Sequence, residues 1–233
     1  MVIMATADLH GDLPKVPRCD LLLIAGDICP LMNHAPGYQR QWLNYKLRRW
    51  INRGYAKQVV AVAGNHDRVF ALGEPPQDMP WTYLEGEETT VGGLRIWGGP
   101  WTPPIHDHWV FQADEEQARA HWERIPDGLD ILISHGPPYG ILDEDETGEH
   151  QGDKALRDEI LRARPKLVVF GHIHTAQAIV QRDGITYANV SLLDNDYRRS
   201  KRHPVQLPAP TTPIAGSRRP GPSPNAAASA GAR

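Results

Sequence analysis

Five short apolar runs recur along the chain, at residues 2–6, 21–25, 59–62, 131–133 and 167–170, and each gives way abruptly to Gly together with Asp, Asn or His. Runs of that length, rich in Val, Ile and Leu and closed by turn residues, read as buried strands. Because they alternate with helical or hairpin segments, the chain reads as an α/β fold. In open α/β sheets the C-terminal ends of the strands are where ligands bind. The third closure is the sharpest, since Val59-Val60-Ala61-Val62 runs into Ala63-Gly64-Asn65-His66-Asp67 and so places an amide, an imidazole and a carboxylate in one tight loop.

The segments between the runs have readable starts and stops. Trp42, Leu43, Leu47, Trp50 and Ile51 recur at helical spacing and predict an amphipathic helix ending near Gly54. Gly92-Gly93 predicts a tight hairpin over residues 89–97, and Asp183-Gly184 a second one that fastens a sheet edge. Asp114 with Gln117 has the form of a capping box opening a helix, and Asp153 is the expected N-cap of another that Pro165 stops. Two loops, at 100–109 and 140–151, are expected to shape whatever site forms. Beyond Tyr197 the composition turns to Arg, Lys, Pro, Ala and Ser. The expected organisation is one domain over residues 1–200 and a disordered tail over 201–233, with Val205-Gln206-Leu207 the one strand allowed inside it.

Composition narrows the functional classes. A formal net charge of −3 on 233 residues gives no field suited to long nucleic acid. The basic clusters at 46–49 and 198–202 are expected to be a solvated helix face and the start of the tail. No stretch approaches the roughly 18 apolar residues of a membrane span, and no signal-peptide pattern opens the sequence, so a cytoplasmic location is expected. Cys19 and Cys29 are too few for a disulfide framework and form no C-x-x-C pair, which leaves them as buried or incidental thiols.

Any one of the polar closures is ordinary turn chemistry. Together they bring Asp8, His10, Asp27, Asn65, His66, His135, His172 and His174 to converging strand ends, and turn chemistry gives no reason for imidazole and carboxylate to recur there. Asp8 and His10 lie two apart, so an extended backbone would put both side chains on one side. Without His66, the set still exceeds what one ion needs when a position is left open for water. Two metal ions are the economical expectation, and mixed imidazole and carboxylate ligation suits Fe, Mn, Zn, Ni or Co.

In order and spacing, Asp8-Leu9-His10, Gly26-Asp27, Gly64-Asn65-His66-Asp67, His135-Gly136 and Gly171-His172-Ile173-His174 resemble the complete signature of the calcineurin-like metallophosphoesterases. Gly99-Pro100-Trp101-Thr102-Pro103, residues 125–132 and His135-Gly136-Pro137-Pro138 look like the branch of small metallophosphoesterase domain-containing phosphodiesterases. The resemblance implies a two-sheet β-sandwich flanked by helices. It also implies two divalent or trivalent transition-metal ions, one held by Asp8, His10, Asp27 and His174, the other by Asp27, Asn65, His135 and His172, with Asp27 bridging. Such a pair, about 3.5 to 4 Å apart, lowers the pKa of a shared water for attack and clamps the phosphoryl oxygens. His66, left over, is implied as the general acid on the leaving oxygen, with Asp67 orienting its ring, raising its pKa or serving the loop.

The expected substrate is a small phosphoester. Phosphodiesters such as cyclic nucleotides come first, with phosphomonoesters, a nuclease activity and a non-catalytic binding module as the alternatives. Asp27 is followed by Ile28-Cys29-Pro30-Leu31 and lacks the extension found in phosphoprotein phosphatases, so phosphoproteins are not expected. Trp101, Trp109 and Tyr139 are candidates for stacking on a base. His34, His106, His108, His121, His150 and His203 are expected on the surface or in loops, with the loop of His106 and His108 overhanging the site. The oligomeric state is not legible.

Overall fold

In Cys19–Ala25 (β2), Leu21, Leu23 and Ala25 face one core while Leu22 and Ile24 face another. Successive side chains of a strand point to opposite faces, so a strand that is apolar at every position has to be covered on both. The same split holds in Ile3–Thr6 (β1), with Ile3 and Ala5 against Met4, and in Ala56–Val62 (β3), with Val60 and Val62 against Val59 and Ala61. The computed structural model, which describes residues 1–210, pairs these three strands in parallel. Thr82–Tyr83 (β4) extends the sheet beside β3, and Val205–Leu207 (β11) runs antiparallel along the other side of β1.

The second sheet has the order Glu87–Val91 (β5), Leu94–Gly99 (β6), Ile131–Ser134 (β7), Leu167–Phe170 (β8), Ile185–Asn189 (β10) and Ala178–Arg182 (β9). Its inner strands are parallel, and the two expected hairpins close its edges antiparallel. Both turns have positive φ at their two central residues, Gly92 and Gly93 in one and Asp183 and Gly184 in the other, as a two-residue hairpin requires.

The sheets pack face to face, Leu21, Leu23, Val60 and Val62 meeting Ile96, Ile131, Ile133 and Val169. Outside the first sheet lie Pro36–Trp42 (α1), a π turn at Leu43–Leu47, Arg48–Ile51 (α2) and Arg68–Ala71 (α3). Outside the second lie Glu115–Trp122 (α4) and Lys154–Ala163 (α5), whose Trp122, Leu156 and Ile160 cover Trp97, Leu132 and Phe170. This is the sandwich flanked by helices that the resemblance implied. Among the described residues, no helix is long and apolar enough to cross a membrane.

Several expectations shift in detail. The first helix begins at Pro36, ahead of its apolar pattern, and the π turn widens it in the middle while keeping Leu43, Leu47 and Trp50 buried. The capping box of Asp114 and Gln117 and the Asp153 cap are both present, and Arg164 ends α5 in a left-handed conformation before Pro165. Neither β4 nor α3 was anticipated, being too short to show a period. β11 is the strand allowed within the expected tail, and residues 211–233 of that tail lie outside the described residues. The cluster at 198–202, expected to begin the tail, instead folds back over the strand ends: Arg199 pairs with Asp12 at 3.5 Å, and Arg202 donates to the carbonyl of His174 at 2.8 Å. Cys19 and Cys29 are both buried and free, as expected.

Candidate metal centre

The loops after β1, β2, β3, β7 and β8 meet along one edge of the sandwich. Their backbone is shaped for closeness. Asp8, His10, Asp27 and His172 all adopt left-handed φ, at 53°, 41°, 51° and 70°, a conformation that costs a non-glycine residue about 1 kcal/mol or more and clusters at functional sites. The extended path expected from Asp8 to His10 is therefore absent. The turn itself brings His10 beside Asp8 and His174. The neighbouring glycines supply room as well as turns: a Cβ on Gly64 would stand 2.2 Å from Asp27 Oδ1, one on Gly171 2.4 Å from Asp8 Oδ2, and one on Gly26 2.3 Å from His135 Nδ1.

Two groups of ligand-capable atoms form, Asp8 with His10 and His174, and Asp8 with Asp27 and His135, the atoms of each lying within 4.8 Å of one another. Asp27 Oδ2 stands between the halves, 3.5 Å from both His10 Nε2 and His135 Nε2. Asn65 Oδ1 is 2.8 Å from His135 Nε2, and His174 Nε2 is 3.6 Å from Asp8 Oδ1. His172 donates its backbone N–H to the Asp8 carboxylate and sets its ring 5.0 Å from that of His135. His135 Nδ1 donates to the Ala25 carbonyl and His174 Nδ1 to that of Asp194. That leaves Nε2 of each ring to face the cluster, the usual arrangement for a metal-ligating histidine.

The electrostatics are those of buried charge. Burial opposes ionisation of Asp8 and Asp27, yet His174 holds the first and His135 and His66 the second well below the ordinary carboxylate range. His135 is itself desolvated, but Asp27 and Asp8 outweigh this and raise it to about 9. Burial pushes His10 down to about 4 and, with His135 alongside, His172 to about 3. These two rings keep free lone pairs at neutral pH. Both ring nitrogens of His10, one of them bare in the neutral ring, and Nε2 of His172 are buried without a hydrogen-bond partner among the described residues. Buried polar atoms are nearly always satisfied, and a cation accepts what bare imidazole nitrogens and carboxylate oxygens offer. The donor set thus fits the transition-metal ions expected from it.

Asp67 serves the loops. Its carboxylate accepts from the amides of Ile28, Cys29 and Gly64 at 2.8–3.1 Å, binding the turn after β2 to the turn after β3. The ring contact that Asp67 was one candidate for goes instead to His34, which lies half-buried in the loop after β2 with its Nε2 3.2 Å from His66 Nδ1. The other face of His66 meets the centre, with Nε2 3.9 Å from Asp27 Oδ2 and the backbone N–H donating to Asp27 Oδ1 at 2.9 Å.

The aromatic candidates separate cleanly. Trp109 reaches the site, its ring 5.0 Å from that of His66 and 6.0 Å from that of His172, and His106 stacks behind it. Its loop is fastened by Val110 N–H donating to the Asn65 carbonyl at 3.0 Å. Trp101 is core, buried against Trp97 and Trp122 and stacked on His121, and Tyr139 lies under Lys154 and Arg157. His150 pairs with Asp143 at 2.8 Å. Sequence reasoning missed Tyr197, which stands 5.1 Å from the His10 ring and 5.3 Å from that of His174. Its one visible signal was its place at the last residue before the composition changes. His34 and Gln39 were missed too, since neither belongs to a periodic pattern or a motif.

Comparison with known proteins gives a consistent result. The sequence profile described as calcineurin-like phosphoesterase matches residues 1–176. The human metallophosphoesterase domain-containing protein 1 is 30% identical over 239 residues, an alignment covering 89% of this chain and 71% of that protein. Among solved structures, a phosphopantetheinyl hydrolase from Mycobacterium tuberculosis superposes with a TM-score of 0.57 at 17% identity, over 88% of this chain and 95% of that one. A protein from Thermus thermophilus does so with 0.52 at 16% identity, over 88% and 97%. At such identities the structural likeness speaks for the fold alone.

Proposed function

Since this chain belongs to the calcineurin-like phosphoesterase family, we propose that it is a two-metal phosphoesterase whose preferred substrates are small phosphodiesters, cyclic nucleotides among them. The observation that carries the reading is the buried Asp and His cluster with bare imidazole nitrogens at His10 and His172. Asp8, His10, Asp27 and His174 would hold one ion, and Asp27, Asn65, His135 and His172 the other. Such a pair, when bound, supplies an acidified water and neutralises phosphoryl oxygens.

The chain's own residues do the rest. His66, outside both ligand sets, directs Nε2 toward Asp27 and gives the proton carried there to the departing oxygen as general acid. Two aromatic side chains border the cluster at different ligands, Trp109 beside His66 and His172, Tyr197 beside His10 and His174. A phosphate bearing an organic group on each side has a partner for both, which favours a diester over a monoester. Size and charge favour a small one, because the cleft of about 240 Å³ beside His172 and His174 is also lined by Asp145 and Glu146, which repel a continuing phosphate backbone.

The test is turnover of bis-p-nitrophenyl phosphate, p-nitrophenyl phosphate and the 2′,3′- and 3′,5′-cyclic nucleotides after loading with Mn, Fe, Zn, Ni or Co. Diesters are expected to turn over faster. A monoester preference under every metal overturns the choice of substrate, and metal-loaded protein inert toward all of them overturns the enzyme.

A further inference from the structure

The loop after β2 carries a histidine that the ligand sets and the acid do not use. His34 Nε2 lies 3.2 Å from His66 Nδ1, with ring centroids 5.1 Å apart. Five residues later Gln39, fully buried on α1, donates its side-chain N–H to the His66 carbonyl at 2.7 Å and accepts from the amide of Val69 at 3.0 Å. One short segment therefore grips His66 twice, by ring and by backbone. Pro36 fixes the entry into α1, and Asn33 Oδ1 accepts from Ala35 N–H at 2.9 Å just ahead of it, so the segment is itself held.

We propose that His34 is a positioning residue for His66: its bond to Nδ1 sets the ring so that Nε2 faces the leaving oxygen, while Gln39 fixes the loop that carries the ring. The role rests on the phosphoesterase reading above. An imidazole–imidazole bond needs one N–H and one bare nitrogen. With the proton of this bond on His66 Nδ1 and His34 Nε2 accepting, the arrangement survives the transfer. The His66 Nε2–H bond breaks and its electron pair stays on the ring. The proton forms an O–H bond on the departing oxygen as the attacking water oxygen bonds to phosphorus and the old P–O bond breaks, leaving its electrons on that departing oxygen. Asp67 is unsuited to this task, because its oxygens already accept from three backbone amides.

The experiment compares His34→Phe, which keeps a ring and loses the bond, with His34→Gln, whose amide reaches near the imidazole Nε2 position. Metal-loaded full chain is assayed on phosphodiesters whose leaving groups run from p-nitrophenol to simple alcohols. A good leaving group needs little protonation and a poor one needs much. His34→Phe should lose roughly 10- to 100-fold in kcat on the alcohol esters but less than about threefold on the p-nitrophenyl ester. His34→Gln should recover most of the loss. An equal loss across the series, or none, overturns the proposal. Imidazole ¹⁵N NMR of the wild type gives a readout independent of turnover: coupling between His66 Nδ1 and His34 Nε2 across the hydrogen bond is expected, and its absence overturns the proposal. A wild type inert toward every ester defeats the phosphoesterase reading instead, and the coupling still decides whether His34 fixes the ring.

Discussion

The two outer helical layers cover sheets of similar burial but relate differently to the centre. The layer on the first sheet, with the loop that leads into it, sends Gln39 and His34 to His66. The layer on the second is tied to itself: Trp122 Nε1 donates to Asp153 Oδ2 at 2.6 Å, linking α4 to the cap of α5, and the rings of Trp97, Trp101 and Trp122 pack together. Both layers bury apolar surface and so contribute to stability. The first also determines where one imidazole points. A substitution in it should therefore move turnover and stability together, whereas one in the second should move stability alone.

The largest expected effect lies at the centre that the first layer serves. His66→Ala should cut turnover by about 10²- to 10⁴-fold while metal content by mass spectrometry stays full; loss of metal with the ring would make His66 a ligand and remove the reason for its clamp. Next, Trp122→Ala should cost about 3–5 kcal/mol in urea unfolding, with kcat per folded molecule unchanged. A fall in kcat at Trp122 would erase the contrast between the layers. Gln39→Ala strands a buried carbonyl and amide and should cost about 1–3 kcal/mol. It should also lower turnover roughly tenfold by loosening the His66 loop; undiminished turnover would leave Gln39 a structural residue like those of the other layer.

The smallest effect is electrostatic and belongs to the second sheet. Asp130, beside β7, is partly desolvated, but Lys166 at 2.7 Å and the Arg95 amide hold its carboxyl below the ordinary value. A depressed carboxylate contributes stability that is present above its unfolded pKa and is lost as pH falls through the folded one. Asp130→Asn should thus cost less than about 1 kcal/mol at neutral pH once solvent screening is allowed for. The difference from wild type should vanish in acid unfolding series well below pH ~4. A difference that persists there would mark Asp130 as a packing residue.

Much of this was legible in the sequence. β2 is apolar at nearly every position, and that alone requires cover on both faces. The motif residues Asp8, His10, Asp27, Asn65, His135, His172 and His174 do gather at one edge. What could not be read was distance across the fold. Gly64 and Gly171 look like turn residues, yet their lack of a Cβ makes room for carboxylates from loops far away in sequence. Trp101 and Trp109 look alike in one proline-rich loop, and packing alone sends the first into the core and the second to the site. His34 and His66 belong to different loops, and no spacing rule joins them. Asp8 and His10 do reach one group, by a left-handed turn and not by the extended backbone that period-two arithmetic assumes.

The seam between β1 and β11 bears on how the chain is made. β1 leaves the ribosome long before its outer neighbour Val205–Leu207, which follows only after every residue of the buried Asp and His cluster. Until then Ile3, Ala5 and their backbone amides form an open, apolar sheet edge of the kind that recruits other chains. A nascent protein in this state already holds every residue of the buried Asp and His cluster and is still sticky. A chain halted before Val205 should therefore be lost chiefly to aggregation, even with its chemistry intact.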